Sequence, residues 1–273
     1  MTTALVLPGG ASLGAVQVGM TEALYEAGIR PDLIVGSSAG ALNGAWLAAH
    51  PGPDGVAELR ELWLTVRRRE IFPFSPIRIM LGLFGHRDHV VSAKALTRWL
   101  AKRAPFSRLE HANVPLHVMA TDLATGAPVM LSSGDALGAL LASTAIPGIF
   151  PPVQLGGRLL VDGGIAADTP ISQAVQLGAD TVYVLPTVGI RPDARPTSAP
   201  SVGLQALSHL LGHAGDKEIA ANSARCTLFI APALPIRDIS PFDFSHGRAL
   251  IQAALDSTRA WLPIAKPEGR VLT

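Results

Sequence analysis

The chain has 273 residues, 48% of them hydrophobic and only 16% charged, with 22 Lys plus Arg set against 21 Asp plus Glu. That length suits one large α/β domain or two small ones. A net charge of +1 excludes a nucleic acid or an anionic bilayer held by the overall field, and a charge content below the roughly 25% of an average soluble domain calls for apolar surface to be covered by something greasy.

The opening "MTTALVLPGG" runs directly into a strand, "ALVL", without the basic flank and small-residue cleavage site of a secretory signal, so the expected location is cytoplasmic. The strand feeds a loop, "GGASLG", and a helix starting near Gly14. Amides at such a junction point outward from a positive helix end and suit either a phosphate or a developing oxyanion. The dinucleotide fingerprint does not fit: Gly9, Gly10 and Gly14 are out of register, and Asp32 precedes the next strand instead of ending it.

That next strand, "LIV", leads into "GSSAG" at residues 36–40, and a helix follows from Ser38. Gly-x-Ser-x-Gly between strand and helix is the pattern of a nucleophile elbow, with Gly36 and Gly40 clearing space for a sharp turn and Ser38 at its tip. The same residues also read as a serine N-cap in a glycine-rich loop. Ser37 is expected to face another way.

Helices follow near Gly55 and Ala93, separated by Arg67, Arg68 and Arg69 and by an apolar, proline-broken segment over 71–84. That segment reads equally as a cap or membrane-touching edge and as core packing. The strands "LHVMAT" and "PVML" come next, then a helix near Asp135. The longest greasy run, "ALGALLASTAIPGIFPPV", is interrupted by Gly138 and by prolines 147, 151 and 152, so no membrane-spanning helix is expected.

The strand "LLV" ends in Asp162, Gly163 and Gly164; alone, an acid before two glycines is an Asx-type turn. In a parallel sheet, however, functional groups gather beyond the carboxyl ends of strands, where Ser38, the Gly9 loop and Asp162 would all emerge. A helix near Pro170, the strand "TVYVL", an exposed loop over 186–201, a helix near Val202, the strand "TLFIA" and a helix near Ser245 complete the chain. Alternating strands and helices predict a mostly parallel sheet covered on both faces. The only cysteine, Cys226, excludes a disulfide framework and is expected as a buried strand residue. Asp122 and Asp168 read as hydrogen-bond partners of local backbone ahead of cation ligands or stabilisers of the site, and no metal or cofactor is expected.

The glycine loop, the "GSSAG" serine and the "DGG" acid, in this order, resemble the patatin-like phospholipase family, also called patatin-like acyl hydrolases. "ATDLATGAPV" and "STAIPGIFPPV" are similar to stretches of bacterial members, so the resemblance runs from about residue 3 to 187. It implies a three-layer α/β/α fold in a single domain over 1–273, a lipid or acyl-ester substrate, and a serine esterase working through a Ser-Asp dyad. Ser38 matches the nucleophile, Asp162 the acid, and Gly9, Gly10 and Ala11 the oxyanion loop, with the Ala39 amide as a further donor. Two positions depart from the pattern: Leu13 stands where a basic residue is common, and Ala11 replaces a glycine. Rival readings are an α/β-hydrolase triad using a late histidine such as His209, His213 or His246, and a degenerate lipid-binding member without catalysis.

Overall fold

The computed structural model describes residues 1–73, 88–187, 199–236 and 239–268. In chain order the elements are β1 (Thr3–Leu7), α1 (Ala15–Glu26), β2 (Leu33–Ser37), α2 (Ala39–Ala49), α3 (Pro53–Thr65), α4 (Arg68–Ile71), α5 (Lys94–Ala101), β3 (Leu116–Asp122), β4 (Pro128–Leu131), α6 (Ala136–Ser143), β5 (Val153–Leu155), β6 (Arg158–Asp162), α7 (Gly164–Ala167), α8 (Ile171–Gln176), β7 (Thr181–Val184), α9 (Ala199–Asn222), β8 (Thr227–Ile230) and α10 (Gly247–Trp261).

Strands β3, β2, β1, β7 and β8 form a parallel block in that order, and β4, β5 and β6 join it through antiparallel pairings. The period-2 alternation of β-strands sorts the core into two layers. Leu5, Leu7, Ile34, Leu116 and Val118 face one side, packed with residues of α1, α2, α3, α5, α6 and α10. Ala4, Val6, Leu33, Val35 and Met119 face the other, against α7 and α8. Helices on both faces of a central sheet make the expected three-layer α/β/α arrangement.

The register around β3 decides where the site forms. β4 occupies one edge of β3 from Val118 to Thr121. The opposite edge is shared: β2 pairs there up to Met119 opposite Ser37, and β6 takes over at Ala120 opposite Asp162. β2 and β6 therefore meet end to end along one edge of β3, running in opposite directions. This corrects the reasoning from parallel topology. Asp162 reaches Ser38 because its strand comes down from beyond the end of β2 and stops there, not because it runs alongside β2.

Smaller differences have local causes. β5 was not anticipated, since three residues after Pro151 and Pro152 carry no readable alternation. Cys226 lies just before β8 and is half-buried, because the strand begins at Thr227. The anticipated loop ends inside α9, which starts at Ala199, and its residues 188–198 lie outside the described ones. Of segment 71–84, only 71–73 are described; Ile71 and Phe72 are buried there, on the side of core packing. Among the described residues no helix is long and apolar enough to cross a membrane.

Candidate active site

Ser38 is the residue between β2 and α2, with φ 52° and ψ −123°. A side chain with positive φ costs on the order of 1–3 kcal/mol and persists only where its surroundings hold it. Here three contacts do so: the Ser38 amide donates to Ser143 Oγ at 2.9 Å, and its carbonyl accepts from the amides of Ala41 and Leu42. The two flanking glycines are needed for clearance. A Cβ on Gly40 would lie 1.9 Å from the Leu7 carbonyl oxygen, and one on Gly36 would lie 2.7 Å from Ala41 Cα. β1, β2 and α2 thus converge more closely than any side chain permits.

From that tip Ser38 Oγ donates to Asp162 Oδ2 at 2.7 Å. The second oxygen, Asp162 Oδ1, accepts from the Gly164 amide at 2.8 Å, so the glycine after the acid serves to orient the carboxylate. The Asp162 carbonyl accepts from Thr121 Oγ1, fixing the end of β6 to β3. Ser38 and Asp162 are both buried. Burial pushes the Asp162 carboxyl up to about 7, the nearby Asp168 adds to the rise, and the hydrogen bonds from Ser38 and Gly164 oppose it. A carboxylate so raised accepts a proton from a hydroxyl far more readily than an exposed one.

Ser37, next in the chain, faces away as anticipated. Its side chain is fully buried and its hydroxyl has no hydrogen-bond partner among the described residues. Ser143 was not singled out in the sequence, where one serine in an apolar helix gives no signal.

The glycine loop lies directly against Ser38. A Cβ on Gly9 would approach Ser38 Cβ to 3.0 Å, and the Gly9 amide donates to Asp168 Oδ1 at 3.1 Å. The Gly9 carbonyl accepts from Thr187 Oγ1, and Gln17 Nε2 donates to the Pro8 carbonyl at 2.8 Å. Gly9 is therefore an anchor of the loop, with its N–H already engaged. Among the described residues the amides of Gly10, Ala11 and Ala39 donate to no protein acceptor, and Ala11 and Ala39 line the cavity beside Ser38. Ala11 has φ 50°, the left-handed conformation a glycine takes readily. Leu13 is buried in the core, so a basic side chain there would have no route to solvent.

Asp168 departs from its reading as a local turn acid. It reaches back to the amide of Gly9, and its carboxyl is pushed by burial up to about 6, with the Gly9 hydrogen bond opposing. An ideal Cβ on Gly164 would stand 3.1 Å from both Asp162 Oδ1 and Asp168 Oδ1, so the two carboxylates flank one point. Asp122, by contrast, accepts from the amides of Ala124 and Thr125, as expected of a turn acid.

Ser38 opens onto a cavity of about 100 Å³ with almost wholly apolar walls, among them Leu42, Trp46, Leu62, Trp63, Trp99 and Phe150. Among the described residues no histidine lines it. His246 instead sits at the start of α10, 3.4 Å from Asp243. The contact between Ser38 and Asp162 is direct, with no imidazole between them.

A family model described as patatin-like phospholipase matches residues 5–175. The chain is 29% identical to the lysophospholipase nte1 of Aspergillus terreus over 181 residues, covering 66% of this chain and 12% of that protein. It is 30% identical to an uncharacterized NTE family protein of Mycobacterium tuberculosis over 206 residues, or 73% of this chain and 31% of the other. Among solved structures, human GIVD cytosolic phospholipase A2 in complex with methyl gamma-linolenyl fluorophosphonate aligns with a TM-score of 0.47 and 11% identity, over 95% of this chain and 57% of that one. The chain thus spans less than a third of the length of either curated relative.

Proposed function

The chain belongs to the patatin-like phospholipase family, and from that premise we propose that it is a lipid acyl hydrolase in which Ser38 is the nucleophile and Asp162 the general base. The observation that carries this reading is the 2.7 Å hydrogen bond to a buried carboxylate from Oγ of Ser38, a residue lining an apolar cavity. Family membership supports the lipid substrate.

In the first half-reaction Ser38 Oγ attacks the ester carbonyl carbon while its proton passes to Asp162 Oδ2. The negative oxygen of the tetrahedral intermediate accepts from the amides of Gly10, Ala11 and Ala39, each such donor being worth on the order of 10²–10³ in rate. Collapse breaks the bond to the alcohol, which leaves with the proton held by Asp162, and Ser38 retains the acyl group. In the second half-reaction Asp162 takes a proton from water, the resulting hydroxide attacks the acyl-enzyme through a second oxyanion, and the proton returns to Ser38 as the fatty acid departs. Asp162 works without a histidine because burial has already raised its proton affinity.

An alkyl fluorophosphonate tests the assignment. We expect one adduct, mapped by mass spectrometry to Ser38, and its absence in Ser38→Ala. Labelling at another serine, or no labelling in a folded protein that hydrolyses lysophospholipid, would refute the assignment. Vesicle binding without labelling or hydrolysis would mark a non-catalytic lipid-binding protein.

A further inference from the structure

The cavity has a direction, and its far end can be located from the backbone. α2 starts at Ser38 and presents Ala39, Leu42, Ala45 and Trp46 to the cavity, a single helical stripe. From Ala39 to Trp46 the helical rise gives about 10 Å. α6 points the other way. Its last residue, Ser143, holds the Ser38 amide, while its first, Ala136, donates from its amide to the Ser107 carbonyl. The chain beyond α5 therefore lies at the end of α6 remote from Ser38. The segment after it stays there, because the Val114 amide donates to the Ala48 carbonyl and Asn113 Nδ2 to the Ala49 carbonyl, at the far end of α2. Arg103, Ala104 and Pro105, which line the cavity just past α5, thus stand opposite Ser38, across the length of α2.

What closes that end is unlike the walls. Arg103 is the one charged residue lining the cavity among those described, and it makes no ion pair with a described residue. Its guanidinium stacks over the Trp99 ring, 4.8 Å from the centroid, a contact attractive for a cation on an aromatic face. The Trp99 indole nitrogen is buried with no hydrogen-bond partner among the described residues. Trp46 beside them is fixed, its Nε1 donating to the Gly55 carbonyl at 3.0 Å. Trp46 is pinned by a hydrogen bond, whereas the Arg103 guanidinium rests on the Trp99 face without an ion pair among the described residues.

Resting on Ser38 as the nucleophile, we infer that this cavity is a gauge of acyl length, with the Arg103–Trp99 stack as its end wall and octanoyl to decanoyl esters as the acyl donors that fill it. An extended chain of that length spans α2 from the acylated serine to the stack. Each methylene within the apolar walls leaves water, which raises kcat/KM about fourfold per group. A longer chain meets a hydrated guanidinium, must displace it from Trp99, and gains nothing further. Arg103 and Trp99 are specificity residues remote from the reacting atoms.

The test is the chain-length profile of kcat/KM on p-nitrophenyl butyrate, octanoate, decanoate and myristate below their aggregation concentrations. The wild-type protein should climb to octanoate or decanoate and fall at least about tenfold by myristate, a break as large as two lost methylene steps. Arg103→Ala should raise the myristate-to-decanoate ratio about tenfold, and Ala104→Trp should move the break toward butyrate. Because each readout is a ratio within one protein, loss of active enzyme cancels. A wild-type profile that keeps climbing through myristate overturns the gauge, as does an unchanged ratio in Arg103→Ala. Should Arg103→Ala fail to fold, Ala104→Trp decides, and an unmoved break overturns it. Failure of the wild-type protein on every ester, butyrate included, is a different result and removes the hydrolase reading itself.

Discussion

Two adjacent hydroxyls occupy one pentapeptide, and their surroundings assign them opposite roles. Ser38 Oγ is hydrogen-bonded to Asp162, whereas the buried Ser37 hydroxyl has no partner among the described residues. Removing an unsatisfied buried hydroxyl relieves a desolvation cost of about 1–3 kcal/mol. Ser37→Ala should therefore unfold at the same or higher urea concentration and keep its esterase rate, while Ser38→Ala loses about 10³-fold or more. Equal losses in both variants would show that the hydroxyls are misassigned. The paired carboxylates predict a pH profile. If Asp162 is the base proposed above, it must be ionised to accept the serine proton, so kcat/KM should rise with pH through an apparent pKa of about 7, a value belonging to the coupled pair. Asp168→Asn keeps an acceptor for the Gly9 amide but removes a negative neighbour that raises Asp162. Its acid limb should move to lower pH; an unmoved limb would mean that Asp168 acts only as a tether.

At the scale of elements, the turn from β2 into α2 is the tightest part of the molecule. Gly40→Ala would drive a methyl into the Leu7 carbonyl, and because β1 is central to the sheet the backbone has little room to give. We expect a loss of about 3 kcal/mol in urea denaturation, at the upper end for overpacking. A variant as stable as wild type would mean that α2 can shift away from β1 at little cost. The strands and helices bearing this turn were readable from residue patterns: "ALVL" and "LIV" are β-rich runs, and the glycine spacing marks the elbow. The acid's route was not readable. The run "LLV" shows that β6 exists, but nothing in "GGRLLVD" says that the strand runs antiparallel, since pairing direction is set by long-range register. Asp168 was missed as a partner of Gly9 for the same reason: the contact joins residues 159 positions apart. That the Gly10 and Ala11 amides have no acceptor among the described residues fits the glycine loop read from the sequence, whereas the engagement of the Gly9 amide depends on a contact with distant Asp168.

For the whole molecule, burying two carboxyls makes stability depend on pH. Asp162 and Asp168 have folded-state values raised to about 7 and about 6 from an ordinary 3.8, so the folded chain holds protons that the unfolded chain has released. Their contribution is complete below about pH 4 and is lost as pH rises toward 7. Asp162→Asn, neutral throughout, should exceed wild type in stability by roughly 2–4 kcal/mol at about pH 8 and match it near pH 4. A gap that stays constant across that range would place the strain elsewhere than in ionisation. A protein that is easier to unfold when its buried carboxyls are charged shows the usual conflict between a polar site and a rigid one.

The end-to-end meeting of β2 and β6 on β3 has a consequence for how the chain matures. A partly folded chain can own a well-formed elbow yet remain chemically inert until β6 docks in register, because a slip of one residue would turn the Asp162 side chain to the other face. Covalent capture of Ser38 would then serve as a stopwatch for the pairing of β6 with β3. In a refolding experiment, adduct formation should lag behind recovery of helical circular dichroism.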